Sequence, residues 1–136
     1  MKLVIDANEM FSFFNPKSLA RSIALRHDLE LHSPYFALGE IEHVRPMIIK
    51  RFSLSAAGFD AVISLLRSVI KFSPEGAYLD MIDRAMEISP DPDDADFLAL
   101  AMLLNCPLWS EDKALRKQKD VEVYSSTELS RILEWA

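Results

Sequence analysis

Apolar and polar positions along this chain fall into two patterns, short unbroken apolar runs and longer stretches with helical spacing. Leu3-Val4-Ile5 is an almost unbroken run after Lys2, as expected for a strand buried on both faces. Asn15-Pro16-Lys17-Ser18 should open a helix reaching about Arg26, with Pro16 near its first turn. Leu29-Glu30-Leu31-His32 alternates like a strand and stops at Ser33-Pro34. Residues 35–51 have helical spacing, and Pro46 should kink or split that helix, because it lacks an N–H and crowds the preceding turn. Residues 54–72 read as a helix with a core stripe of Phe59, Val62, Ile63, Leu66 and Ile70. Lys71-Phe72-Ser73 suits either the end of that helix or a short strand. Helices are expected over 77–88 and 91–104, then strands at 108–109 and 121–124 around a short helix at 111–117. A last helix over 127–135 has Ser126 or Thr127 as its cap.

Such alternation of strand and helix implies a mostly parallel sheet covered by helices on both sides. The expected fold is one three-layer α/β/α domain over residues 1–136. The chain has only three glycines and neither of the glycine-rich phosphate loops, which argues against a nucleotide-binding loop. It contains no run of roughly 20 apolar residues that would span a bilayer. Met1-Lys2 enters the first strand with no leader pattern. The lone Cys106 excludes an internal disulfide framework and a thiolate zinc site, suits a cytoplasmic setting, and reads as a small buried hydrophobe before a reactive thiol.

Charge adds the candidate chemistry. The 15 basic and 21 acidic residues leave a net charge of −6, unlike a conventional nucleic-acid-binding module. Basic residues nevertheless gather in two places, Arg45, Lys50 and Arg51 at the end of one helix and Lys113, Arg116, Lys117 and Lys119 after Asp112. Acids sit at the ends of elements. Asp6 follows the first strand, Glu40 lies on the helix from Tyr35, Asp94 opens the helix over 91–104, and Asp112 follows the strand at Leu108-Trp109. In a parallel sheet the carboxyl ends of the strands share one edge, so these carboxylates should be drawn together there. Such a cluster requires a hard cation with oxygen ligands, and Mg²⁺ or Mn²⁺ is the natural choice. Each acid also has a structural reading: Asp6 suits a helix cap, Asp91 an N-cap that puts Asp94 at the third helical position to complete a reciprocal cap, Asp112 a turn, and Glu40 a wet helix face.

The chain resembles the PIN-domain ribonucleases, including the toxins of VapBC-type toxin–antitoxin pairs. The resemblance rests on Val4-Ile5-Asp6-Ala7-Asn8, on Glu40, on the segment Asp91-Pro92-Asp93-Asp94-Ala95-Asp96-Phe97-Leu98-Ala99-Leu100-Ala101, and on Trp109-Ser110-Glu111-Asp112-Lys113. It implies that Asp6, Glu40, Asp94 and Asp112 are catalytic metal ligands, with Asn8 and Ser110 as accessory polar groups. The implied activity is Mg²⁺- or Mn²⁺-dependent hydrolysis of RNA phosphodiester bonds, with RNA as substrate and an antitoxin protein as partner. Where the family has Gly before the last Asp, this chain has Glu111, an extra anion; Asp93 and Asp96 flank Asp94, and Glu42 competes with Glu40. The competing function is a PIN-fold interaction module without catalysis.

Other acid-dependent classes fit poorly. A dehalogenase-type phosphatase needs a second Asp two residues after the first, where this chain has Asn8, and a calcium loop from Asp91 has Asp96 in its glycine position. His27, His32 and His43 show no metal spacing and read as surface or capping residues, while Phe11, Phe13, Phe14 and Trp109 read as core before stacking platforms. Residues 52–72 carry a second apolar face (Leu54, Ala61, Leu65, Val69), so a homodimer is expected through that helix or through residues 35–51.

Overall fold

Leu3, Val4 and Ile5 have no exposed surface because their strand lies at the centre of the sheet. In this computed structural model, which describes residues 1–26 and 28–134, the strand is β1 (Lys2–Ile5). It is flanked by β2 (Glu30–Pro34), β3 (Ile70–Ser73), β4 (Leu108–Trp109) and β5 (Val123–Tyr124) in the order β3-β2-β1-β4-β5. Every pairing is parallel, with Val4 opposite His32 on one side and Leu108 on the other. Helices flank the sheet, giving the expected α/β sandwich.

Asp6 starts α1 (Ala7–Phe11), which runs into a 3₁₀ turn at Ser12–Phe14. This segment was not expected as a helix, and the helix expected over 15–26 shrinks to α2 (Leu19–Ala24), capped where Ser18 Oγ accepts the Arg21 N–H at 3.0 Å. Pro46 splits its helix as expected, into α3 (Tyr35–His43) and α4 (Arg45–Phe52), and lies in the first turn of α4, where an N–H is not needed. The helix expected over 54–72 ends sooner. It is α5 (Ala56–Val69), because Ile70 turns extended and pairs with Leu31 in β3. The open edge of β2 offers backbone partners there, and β-branched Ile70 suits a pleated surface.

Residues 77–88 divide into the end of α6 (Glu75–Tyr78), a 3₁₀ turn at Leu79–Met81 and α7 (Ile82–Ile88). A 3₁₀ turn at Pro92–Asp94 leads into α8 (Ala95–Leu104), which packs on β1, β2 and β4 and closes on Asn105 at φ 52°. The helix expected at 111–117 is a 3₁₀ turn, Lys113–Lys117, and the strand expected at 121–124 keeps only β5. The final helix, α9 (Ser126–Glu134), is capped by neither Ser126 nor Thr127. Ser125 Oγ accepts the Glu128 N–H at 3.2 Å while Glu128 accepts the Ser125 N–H at 3.0 Å, a reciprocal capping box. Trp135, at the end of that expected helix, and His27 lie outside the described residues.

Phe13, Phe14 and Trp109 are core, as read from the sequence, with Phe14 stacked on Phe59 at 5.2 Å. The second apolar face of α5 is largely satisfied within the chain, since Leu54, Leu65 and Val69 are half-buried against the core. The bulky exposed apolar side chains near it are Tyr35, Phe36 and Met47, on α3 and α4. Among the described residues no single helix is long and apolar enough to cross a membrane.

Candidate active site

The parallel strands open their carboxyl ends on one edge. From β1 the chain proceeds to β2 on one side, whereas β4 proceeds to β5 on the other, so the crevice between β1 and β4 is the topological switch point. Asp6 and Ser110 stand at its two lips. The Asp6 N–H donates to the Trp109 carbonyl at 3.1 Å, and the Ser110 N–H donates to the Tyr124 carbonyl at 3.0 Å.

Asp6 is buried and caps α1, its Oδ1 accepting the Glu9 N–H at 3.0 Å. Burial nonetheless pushes its carboxyl above the usual range. The Ser110 hydroxyl and the Glu9 and Asn8 N–H groups pull the other way, and the Asp112 charge adds to the rise. Ser110 is fully buried, and its Oγ accepts the Asp112 N–H at 3.0 Å, so one hydroxyl touches the settings of two acids. Asp112 itself is exposed and caps the 3₁₀ turn after it through the Ala114 N–H at 2.9 Å.

Asp94 differs from both because its carboxylate makes no capping hydrogen bond. It is half-buried, and its carboxyl is raised to about 6, by burial first and then by the charges of Asp91, Asp112, Asp6 and Asp93. Anions from the ends of β1 and β4 thus both press on an anion at the start of α8. The neighbouring acids have other partners. Asp96 accepts the Tyr78 hydroxyl at 2.7 Å, Asp93 is exposed on the turn held by Asp91, and Glu111 accepts the Ser126 N–H at 2.8 Å.

The charge of Glu40 is not among those that raise Asp6 or Asp94. Glu40 is exposed on α3 in a mostly apolar hollow of about 660 Å³ with Phe11, Tyr35, Phe36, His43 and Val44. A side-chain carbon added at Gly39 would meet nothing within 4 Å, so that glycine does not serve a close approach to the sheet. Asn8 is exposed on α1, two residues beyond Asp6. His43 is exposed beside Glu40, and His32 is buried against Glu30 at 2.8 Å.

Sequence reasoning missed Glu9. It is 3% exposed, and its carboxyl rises to about 8, chiefly by burial and then by the neighbouring Glu111 and Asp6. The Ser126 hydroxyl donates to Glu9 at 3.2 Å, and the Trp109 indole N–H donates to Ser126 Oγ at 3.0 Å. The available signal was an acid one helical turn after Asp6, followed at once by Met10 and Phe11.

Among the described residues no three His, Cys, Asp or Glu side chains stand ready as a metal-ligand set. Burial raises the carboxyls of Asp6 and Asp94 first and the neighbouring acid charges add to it, so a cation among them would offset both. The donor chemistry fits a hard divalent ion: Asp6, Asp94 and Asp112 are all oxygen donors, and one of them is held by N–H and hydroxyl groups that orient it.

A parallel α/β domain with three carboxylates at its switch point defines a class of acidic-crevice proteins. The chain belongs to the PIN domain family, whose sequence profile matches residues 4–126, and PIN domains are commonly metal-dependent nucleases. In three dimensions it is similar to the crystal structure of PAE2754 from Pyrobaculum aerophilum, with a TM-score of 0.67 and 15% identity over 98% of this chain and 90% of that one. At that identity the likeness speaks for the fold. No curated protein matches the chain in sequence.

Proposed function

We propose that the protein is a Mg²⁺- or Mn²⁺-dependent endoribonuclease. The observation that carries this reading is the convergence of Asp6, Asp94 and Asp112, acids from three separate elements, at the switch point of a PIN domain, where the charges of Asp6 and Asp112 both reach the half-buried Asp94. A purely structural acid at the start of α8 would be satisfied locally, as Asp96 is by Tyr78. Asp94 is not.

Asp6, Asp94 and Asp112 would hold the ion, with Glu40 reaching it through water from the α3 side. A bound divalent ion makes a coordinated water more acidic and offsets charge on the scissile phosphate. Ser110 keeps Asp6 oriented, since its hydroxyl favours the Asp6 anion, and it also accepts the Asp112 N–H. Glu40, exposed on α3, would orient the attacking water. Asn8 has an exposed amide that suits a phosphate oxygen. A toxin role, with an antitoxin as partner, is the finer part of this reading; expression should then arrest growth only while the carboxylates are intact.

The test is cleavage of single-stranded RNA in Mn²⁺ and in EDTA, alongside calorimetry of Mn²⁺ binding. Cleavage confined to Mn²⁺, together with saturable heat, supports the nuclease. Equal cleavage in EDTA points to a contaminating metal-free ribonuclease. Metal binding with no cleavage favours the interaction module.

A further inference from the structure

Between α1 and α4 lies a cleft of about 530 Å³ that the carboxylate trio does not use. One wall carries Asn8, Ser12, Asn15 and Ser18, and the other carries Met47 and Arg51. No acid lines it, in a chain whose net charge is −6. Arg51 takes part in none of the ion pairs among the described residues, whereas Arg45 is held by Asp60 and Arg116 by Glu128. Its guanidinium rests over the Phe52 ring, 5.5 Å from the centroid, which positions it without neutralising it.

Phe11 belongs both to this cleft and to the apolar hollow around Glu40. In that hollow Tyr35 is 54% exposed and Phe36 is 36% exposed, with Phe36 braced edge-on by Phe97 at 5.6 Å. The two recesses therefore adjoin at Phe11, on the helix that Asp6 caps. One end offers a free cation and polar groups; the other offers aromatic faces.

Resting on the nuclease reading above, we propose that these recesses are the path of a single RNA strand. Arg51 contacts a phosphate displaced from the scissile one, and the Phe11–Tyr35–Phe36 shelf stacks a neighbouring base. The charge complementarity singles out this occupant: an acid-free cleft with an unpaired arginine suits a polyanion, and an aromatic shelf suits unstacked bases of any sequence. It makes the enzyme selective for single strands, because bases paired in a duplex cannot reach the shelf.

Steady-state kinetics on a short single-stranded RNA in Mn²⁺, across a salt series, tests this. Arg51→Met should raise KM about tenfold, leave kcat within about twofold, and flatten the slope of log kcat/KM against log salt by about 0.7, the value for one phosphate of a single strand. Arg51→Lys should restore the slope. Tyr35→Ala with Phe36→Ala should raise KM about five- to tenfold without changing the slope, and lose that effect on an RNA made abasic beside the cleavage position. Unchanged KM and slope in Arg51→Met would overturn the proposal. So would a double aromatic variant that converts a dimer to a monomer in sedimentation while cutting RNA normally, since the face would then belong to a second copy of the chain. If the wild type cuts no RNA, the nuclease reading fails by itself. The same salt series on RNA binding, read by fluorescence anisotropy, then decides the path: a slope lowered by Arg51→Met keeps it, and an unchanged slope removes it.

Discussion

Replacing Asp94 by Asn removes one anion from the crevice and keeps the side chain's shape, so its effect on stability measures what burial and the neighbouring charges together cost that anion. The Asp94 carboxyl moves from 3.8 to about 6, roughly two units upward. At about 1.4 kcal/mol per unit this is at most about 3 kcal/mol. Asp94 is only partly buried, and screening by solvent brings the figure to about 1.5 kcal/mol. The raised value means that the folded protein holds this proton more tightly than the unfolded chain. Stability should therefore fall as pH rises from about 4 through about 6, with the whole penalty present above that window. At pH 8 in EDTA, Asp94→Asn should be more stable than wild type by about 1.5 kcal/mol, or about 5 °C in Tm for a domain of this size. The gain should vanish below pH 4. Adding Mn²⁺ should reverse the order, because the wild type gains by linkage what the variant cannot. Differential scanning calorimetry at pH 4 and pH 8, with EDTA and with Mn²⁺, reads all of this. A variant less stable than wild type at pH 8 in EDTA would show that Asp94 serves the fold, and the reasoning would be refuted.

Asp6→Asn keeps the cap on α1 but removes one of the proposed metal ligands. RNA cleavage should drop at least about a hundredfold with metal-free Tm level or raised, whereas unfolding would make Asp6 a structural cap only. Glu9→Gln should flatten the pH profile of metal-free stability. The wild type loses stability between about pH 4.5 and 8 as the buried Glu9 carboxyl is forced to ionise, while the amide has no proton to lose; parallel thermal-denaturation profiles would contradict this. Ser125→Ala should cost about 1 kcal/mol through the lost capping box, and no change in urea midpoint would place the α9 cap elsewhere.

Much of this architecture is legible in the chain because burial writes itself into pattern. Leu3-Val4-Ile5 announces a central strand, and Pro46 announces a break between helices, since each is a local rule with no strong competitor. The rule failed where tertiary partners decided. Ile70 continues a helical stripe in sequence, yet the open edge of β2 draws it into a strand. Asp6, Asp94 and Asp112 could be picked out because each follows or starts an element that the pattern identified. Glu40 could be placed on its helix, but nothing in the sequence measures how far that helix holds it from the trio. Glu9 was hidden because its partners, Ser126 and Glu111, lie more than a hundred residues away.

That distant contact has a dynamic consequence. The Glu9 N–H that steadies Asp6 belongs to a residue whose own side chain is moored to Ser126, 117 positions along, in the first turn of α9. Peeling α9 from the domain, by heat, protease or a competing helix, would release Glu9 and with it the first turn of α1. Amide hydrogens at Asn8 and Glu9 should then exchange no more slowly than the undocking of α9 allows. The hold on the carboxylate at the first strand is only as durable as the seating of the last helix.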